Sequence, residues 1–172
     1  MANFKFRFAN TSDIPLIQEL NLQVWPQTYR EILSEEQINY MLEMMYSEAS
    51  LKRQMEEEGC VFILMYDGNT PIGFASYSEI EPHEFKLHKI YVLPTIQGIG
   101  AGKSLLENVI SEVKKQNGKS LSLNVNRFNK AKTFYDRMQF KVVEEVDVHI
   151  GNGYYMNDYI MTFQIPYSSF EN

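Results

Sequence analysis

Cysteine occurs once in the 172 residues, at Cys60, so no disulfide can form within the chain. A lone thiol inside the apolar run CVFILMY reads as a buried, inert side chain and points to a reducing compartment. Six prolines and nine glycines are too few for a collagen-like or low-complexity chain. No run approaches the ~18 consecutive apolar residues of a membrane-spanning helix. The opening MANFKFRF alternates apolar and basic residues where a signal peptide would be continuously apolar. Basic charge is in deficit, with 16 Lys and Arg against 22 Asp and Glu and a net charge of −6. A dedicated nucleic-acid binder needs clustered positive charge to displace counterions, so the balance argues against that class. The expectation is a cytoplasmic protein with neither nucleic-acid nor membrane partner, its acidic surface suited to solubility and to a cationic ligand.

What is present fits one ordinary domain over residues 1–172, with 44% apolar and 22% charged residues. Phe4, Phe6 and Phe8 alternate with Lys5 and Arg7 as in a half-buried strand. Thr11 or Ser12 can cap a following helix whose apolar positions are Ile14, Ile17, Leu20, Leu22 and Val24. Ser34 and Gln37 stand three apart as in a capping box, and a third helical stretch over 47–58 stops at Gly59. Asp67-Gly68 between apolar runs at 60–66 and 71–81 signals a hairpin. Further strands are expected at 84–93, 121–125, 140–149 and 155–165, with helices after the glycines near 100 and over 130–138. The order predicts a mixed α/β (α+β) fold around one sheet.

The informative segment is KIYVLPTIQGIGAGKSLLENVI, residues 89–110. A strand ends at Pro94, glycines recur at 98, 100 and 102, and a helix follows at once. Such glycines turn the backbone tightly and point successive N–H groups outward at a helix N-terminus, a site suited to phosphate. Three glycines in five residues exceed what a tight turn needs. A P-loop requires G-x-x-x-x-G-K-[ST], and Gly102-Lys103-Ser104 supplies its end. Its first glycine would have to stand at Gln97, and Gly98 comes one residue late. A dinucleotide fingerprint G-x-G-x-x-G beginning at Gly98 calls for a glycine where Lys103 stands.

A third pattern, Q/R-x-x-G-x-G/A, is met by Gln97-Gly98-Ile99-Gly100-Ala101-Gly102. This is the pyrophosphate-binding motif of the GNAT superfamily of acyl-CoA-dependent N-acetyltransferases, which the chain resembles in two further segments. KIYVLP is similar to that family's central strand, and NKAKTFYDRMQF to its closing N-x-x-A-x-x-x-Y helix. The resemblance implies a GNAT fold, with a central sheet of about seven strands splayed at the fourth and about four helices packed on both faces. It implies acetyl-CoA as cosubstrate, bound at Gln97, Gly98, Gly100, Ala101, Gly102 and Lys103, with Asn129 on the pantetheine arm. The backbone of Ile90 and Val92 would pair with that arm, and the Val92 N–H would polarise the thioester carbonyl, a contribution typically of ~10²–10³ in rate. Tyr135 would protonate the departing thiolate as general acid. In isolation, Asn129 reads as a plain helix cap and Tyr135 as a core aromatic. One departure stands out: the family's glycine before the phenylalanine is here Gln139, preceding Phe140.

Alternation fails in the strand 84–93, because Leu87 and Ile90 are an odd number apart and Ile90 and Val92 an even number. A bulge near His88-Lys89 would repair the phase; a strand buried on both faces would not need one. The base that deprotonates the acceptor is not legible among Glu79, Glu81, Glu84 and His88, and Lys86 stands where many relatives carry an acid. Trp25, Tyr29, Glu81 and the Tyr154-Tyr155 pair are acceptor-wall candidates, although aromatic residues equally suit core packing or a homodimer interface. No His/Cys spacing suggests a metal. The closing IGNGYYMNDYIM resembles that of bacterial polyamine acetyltransferases and, with the net charge, favours a small primary amine, a polyamine for example. Against an acetyltransferase stand a P-loop phosphotransferase and a non-catalytic CoA-sensing module on the same fold.

Overall fold

Local signals set most element boundaries in the computed structural model, which describes residues 2–166. Strand β1 is Phe4–Phe8, followed by helices α1 (Ile14–Tyr29), α2 (Glu35–Tyr46) and α3 (Glu48–Glu56). Strands β2 (Val61–Asp67), β3 (Thr70–Glu81) and β4 (Glu84–Val92) lead into α4 (Ala101–Lys115). Then come β5 (Ser120–Asn126), α5 (Ala131–Arg137), β6 (Lys141–Gly151) and β7 (Tyr154–Gln164). Ser34 and Ser47 cap α2 and α3, their hydroxyls accepting from the N–H of Gln37 and Ser50. At the entrance to α1 the expected cap moves. Asn10, not Thr11 or Ser12, accepts from the Ser12 N–H in a capping box closed by Asp13, which also pairs with Arg7 at 2.8 Å. Helix α1 departs from its apolar reading too, since Leu22 is 61% exposed and Asn21 is fully buried in its place. Positions 14, 17, 21 and 24 follow the helical period on which an inward stripe must lie.

The seven strands form one mixed sheet in the order β1-β2-β3-β4-β5-β7-β6. Among the described residues five α-helices accompany it, in keeping with the expected number of about four. Strand β4 pairs parallel with β5 from Glu84↔Ser120 to Leu87↔Leu123, and β4 continues through residues 88–92 past the last of these pairs. By contact density the chain divides into Met1–Ser78 with His88–Val109, and Glu79–Leu87 with Ile110–Asn172. The first unit buries Ile17, Leu51, Phe62, Leu64, Phe74 and Leu105 completely or nearly so. In the second, β5 alternates strictly: Leu121, Leu123 and Val125 are buried, whereas Ser122, Asn124 and Asn126 are half-buried. Helix α5 packs on the apolar side, where the Tyr135, Phe140 and Phe163 rings meet in sequence at 5.8 and 5.5 Å. No described helix is long and apolar enough to cross a membrane.

Candidate functional site

In the first unit, the end of β4 and the glycine loop make a continuous backbone surface. Burial alternates along β4 as far as Lys89, then breaks, because Val92 is buried three residues later. Leu93 donates its N–H to the Ile72 carbonyl at 2.8 Å, and β3 passes close by. A Cβ at Gly73 would lie 2.6 Å from the Tyr91 carbonyl oxygen and 3.3 Å from the Val92 Cα. Gln97 reaches back and donates from Nε2 to the Val92 carbonyl at 3.4 Å, tying the loop to the strand end. Gly98 and Gly100 have φ of +89° and +81°, and a Cβ at either would meet no atom within 4 Å. Their outward side is therefore bare backbone. Ser104 N–H to Gly100 C=O at 2.9 Å starts α4, and first-turn N–H groups have no acceptor within their own helix. Bare backbone, first-turn amides without an intrahelical acceptor and the positive end of a 15-residue helix fit a diphosphate. Ala101 is 1% exposed, so only its backbone can contribute. Lys103 is exposed, 3.9 Å from Glu107, and the fixed lysine–phosphate grip of a P-loop has no counterpart in that placement.

Behind this surface lies an aromatic cluster that brings together two of the acceptor-wall candidates. Trp25 and Tyr29 have ring centroids 4.5 Å apart, and the Tyr29 hydroxyl lies 3.2 Å from that of Tyr91. Trp25 is 2% exposed and also meets Tyr46 and Tyr91, so it backs the half-buried tyrosines and offers little face of its own. Lys89 was not singled out by the sequence. Its ammonium is buried over the Tyr46 ring at 5.1 Å and donates to Gln54 Oε1 at 2.8 Å. Burial pushes its pKa down to about 8. Burial also raises the Cys60 thiol, with Lys89 opposing the shift less strongly. Cys60 is half-buried where the sequence suggested full burial, but its raised thiol still disfavours the reactive thiolate.

His88, a candidate base, lies in the first unit with a ring nitrogen 2.7 Å from the Ser78 hydroxyl, and the remaining candidates belong to the second unit. Asn129 accepts from the Ala131 N–H at 2.9 Å through Oδ1, the helix-cap role, which leaves the amide nitrogen as its donor. Tyr135 is 8% exposed between Phe134 and Phe140. Gln139 adopts φ 68°, the left-handed conformation that the family's glycine would take without strain, and so keeps the turn intact. Glu81 is exposed beside Glu79, Ile80 and Pro82 in a shallow open depression, and Tyr155 is half-exposed with its ring 5.0 Å from that of His149. The sequence missed Asp158, which is 2% exposed on β7 and accepts from Asn124 Nδ2 at 3.3 Å. Burial raises its pKa, opposed by the Asn124 contact and by the charges of Lys86 and Arg127. Among the described residues, no group of three or more His, Cys, Asp or Glu side chains is placed to hold a metal ion.

The chain matches the family model described as an acetyltransferase (GNAT) domain over residues 29–162. YuaI of Bacillus subtilis, an uncharacterized N-acetyltransferase, is 33% identical over 104 residues, 58% of either chain. The ribosomal protein bS18-alanine N-acetyltransferase of Haemophilus influenzae is 35% identical over 80 residues, 46% of this chain and 54% of that enzyme. The match thus spans little more than half the length of these two relatives. Among solved structures, the PaiA N-acetyltransferase of Thermoplasma acidophilum, in complex with coenzyme A, superposes with a TM-score of 0.78 at 26% identity, over 94% of this chain and 99% of that one. The ribosomal-protein-S18-alanine N-acetyltransferase of Escherichia coli shares the fold, with a TM-score of 0.72 at 19% identity over 99% of each chain.

Proposed function

Because the chain belongs to the GNAT family of acetyltransferases, we propose that it is an N-acetyltransferase moving acetyl directly from acetyl-CoA to a primary amine. One domain over residues 1–172 would carry the whole reaction. The observation that carries the reading is the loop at Gly98 and Gly100, bare on its outward side and opening straight into α4. The amides of residues 98–103 hold the pyrophosphate, with Gln97 bracing the loop against Val92. The backbone of Ile90 and Val92 pairs with the pantetheine arm, and Asn129 donates to it from its free amide nitrogen.

The Val92 N–H stabilises the oxyanion as the amine nitrogen bonds to the thioester carbon. Tyr135 then gives its phenolic proton to sulfur as the C–S bond breaks, and the acetylated nitrogen loses its extra proton to a base or water. Tyr29, Glu81 and Tyr155 contribute to acceptor binding, with Trp25 as backing. The acidic charge balance and the Glu79–Glu81 depression favour a cationic acceptor such as a polyamine. The similarity to a bS18-alanine N-acetyltransferase supports a second acceptor class, a peptide with N-terminal alanine. A phosphotransferase is not favoured.

Tyr135→Phe tests the mechanism. The variant keeps the ring and its packing, so stability and acetyl-CoA affinity should hold while turnover falls about ten- to a thousandfold. Turnover equal to wild type, at saturating acetyl-CoA with the best amine of a panel of polyamines and alanine peptides, removes Tyr135 from catalysis. It would then favour the CoA-sensing alternative.

A further inference from the structure

The second unit has a polar face that the mechanism leaves unused. The registers Lys86↔Ser122, Asn124↔Ile160 and Asn126↔Asp158 put Lys86, Ser122, Asn124, Asn126 and Asp158 on one side of β4, β5 and β7, with Ile160 and Thr162 beside them on β7. Lys132 of α5 and Phe140, just past the helix, make their contacts on the opposite, apolar side, at Tyr159 and Phe163 respectively. Most polar groups of this face are already committed. The Ser122 hydroxyl donates to the Phe85 carbonyl at 3.4 Å, and Asn126 Oδ1 accepts from the Phe128 N–H at 2.9 Å. Asp158 is recessed at 2% exposure, while Asn124 beside it is half-buried.

An ionised carboxylate can only accept, which fixes the Asn124 side chain with Nδ2 toward Asp158. In a planar amide the oxygen then points away from the carboxylate. We infer that Asn124 Oδ1 is the hydrogen-bond acceptor that orients the substrate's primary amine, and that Asp158 is the positioning residue that aims and polarises it. A buried anion behind the amide strengthens the outward oxygen as an acceptor. A neutral oxygen orients an attacking nitrogen without locking it into an ion pair. The arrangement also supplies, from β7, the negative charge that Lys86 withholds on β4. This inference rests on the acetyltransferase reading and sharpens it to acceptors with N–H donors.

The test uses the full chain saturated with coenzyme A, with spermidine and an alanine-initiated peptide as probes. Tetramethylammonium, a cation without N–H groups, is the control. At least one probe should shift the Asn124 side-chain amide signals in ¹⁵N-edited NMR spectra, and tetramethylammonium should not. Asp158→Asn should weaken that probe about tenfold, the size expected for a polarised hydrogen bond, and leave coenzyme A affinity within about twofold. Asn124→Thr, which keeps a hydroxyl donor for Asp158 but removes Oδ1, should do the same and covers the case in which Asp158→Asn does not fold. Unmoved Asn124 signals with both probes, equal shifts from tetramethylammonium, or full amine affinity in a folded variant would each overturn the inference. Amine acetylation persisting under those outcomes leaves the parent reading standing; failure of the wild type to bind coenzyme A overturns both.

Discussion

Nζ of Lys89 donates to Oε1 of Gln54 across 2.8 Å, joining β4 to α3 through two side chains that are each 8% exposed. Gln54 in turn donates to the Met45 carbonyl at 2.9 Å and to Ser50 Oγ at 3.0 Å, so one amide links the strand to two helices. The ammonium has aromatic faces and an amide oxygen for company, and such partners compensate a buried cation less fully than a carboxylate would.

Stability should therefore rise with pH in the alkaline range. The folded pKa of Lys89 is about 8, below the ~10.4 of an unfolded lysine. Below pH 8 both states are charged and the full burial cost is present. Between the two values the unfolded chain binds more protons, so stability climbs, and above the upper value the cost is gone. Relative to Lys89→Met, the wild type should gain up to about 3 kcal/mol across that window. Urea denaturation of both proteins from pH 7 to 10.5 measures the difference, in which the other titrating groups largely cancel. A flat difference would mean that the ammonium is better solvated than its burial indicates.

Gly73→Ala should damage the cofactor strand from behind. Its Cβ would meet the Tyr91 carbonyl oxygen at 2.6 Å, and backbone atoms cannot rotate aside. The strands must shift, at a cost of about 1–3 kcal/mol. Because Val92 is proposed to pair with the pantetheine arm, coenzyme A affinity should fall as well. Calorimetry giving wild-type affinity in the folded variant would detach the Tyr91–Val92 backbone from cofactor binding.

Gln139→Gly should stabilise the protein. Gln139 sits at φ 68° after α5, where the Phe140 N–H donates to the Tyr135 carbonyl at 3.0 Å. Removing the Cβ relieves left-handed strain, partly offset by the freer unfolded chain. A net gain of about 0.5–1 kcal/mol corresponds to a Tm rise of about 2 °C for a domain of this size. A fall in Tm would assign the glutamine side chain a contact that outweighs the strain.

Gly100→Val and Lys103→Ala separate the two phosphate readings. Valine at φ +81° is strained and covers the bare outward side of the loop, so coenzyme A affinity should drop at least about tenfold. Lys103 is exposed, and its loss should remove only a screened charge contact, under about 1 kcal/mol. Collapse of activity on Lys103→Ala with coenzyme A binding intact would favour a phosphotransferase.

Element order, most strand limits, the Asp67-Gly68 hairpin and the Ser34 cap were legible in the chain itself, because period, turn and capping chemistry act over a few neighbouring residues. The glycines at 98 and 100 belong to the same class, since a positive φ is a local demand. Burial of single polar side chains was not legible. Nothing near Lys89 or Asp158 in sequence distinguishes them from the exposed Lys141 or Asp147. Their burial depends on distant segments: Gln54 stands 35 residues from Lys89, and Asn124 stands 34 from Asp158. Likewise Asn21 points inward and Leu22 outward because helical phase fixes the stripe that faces the core. The sequence by itself determined where backbone turns and which strands can form. Tertiary structure decided which polar groups lose their water, because desolvation depends on what packs against a face and not on the strand or helix that carries it.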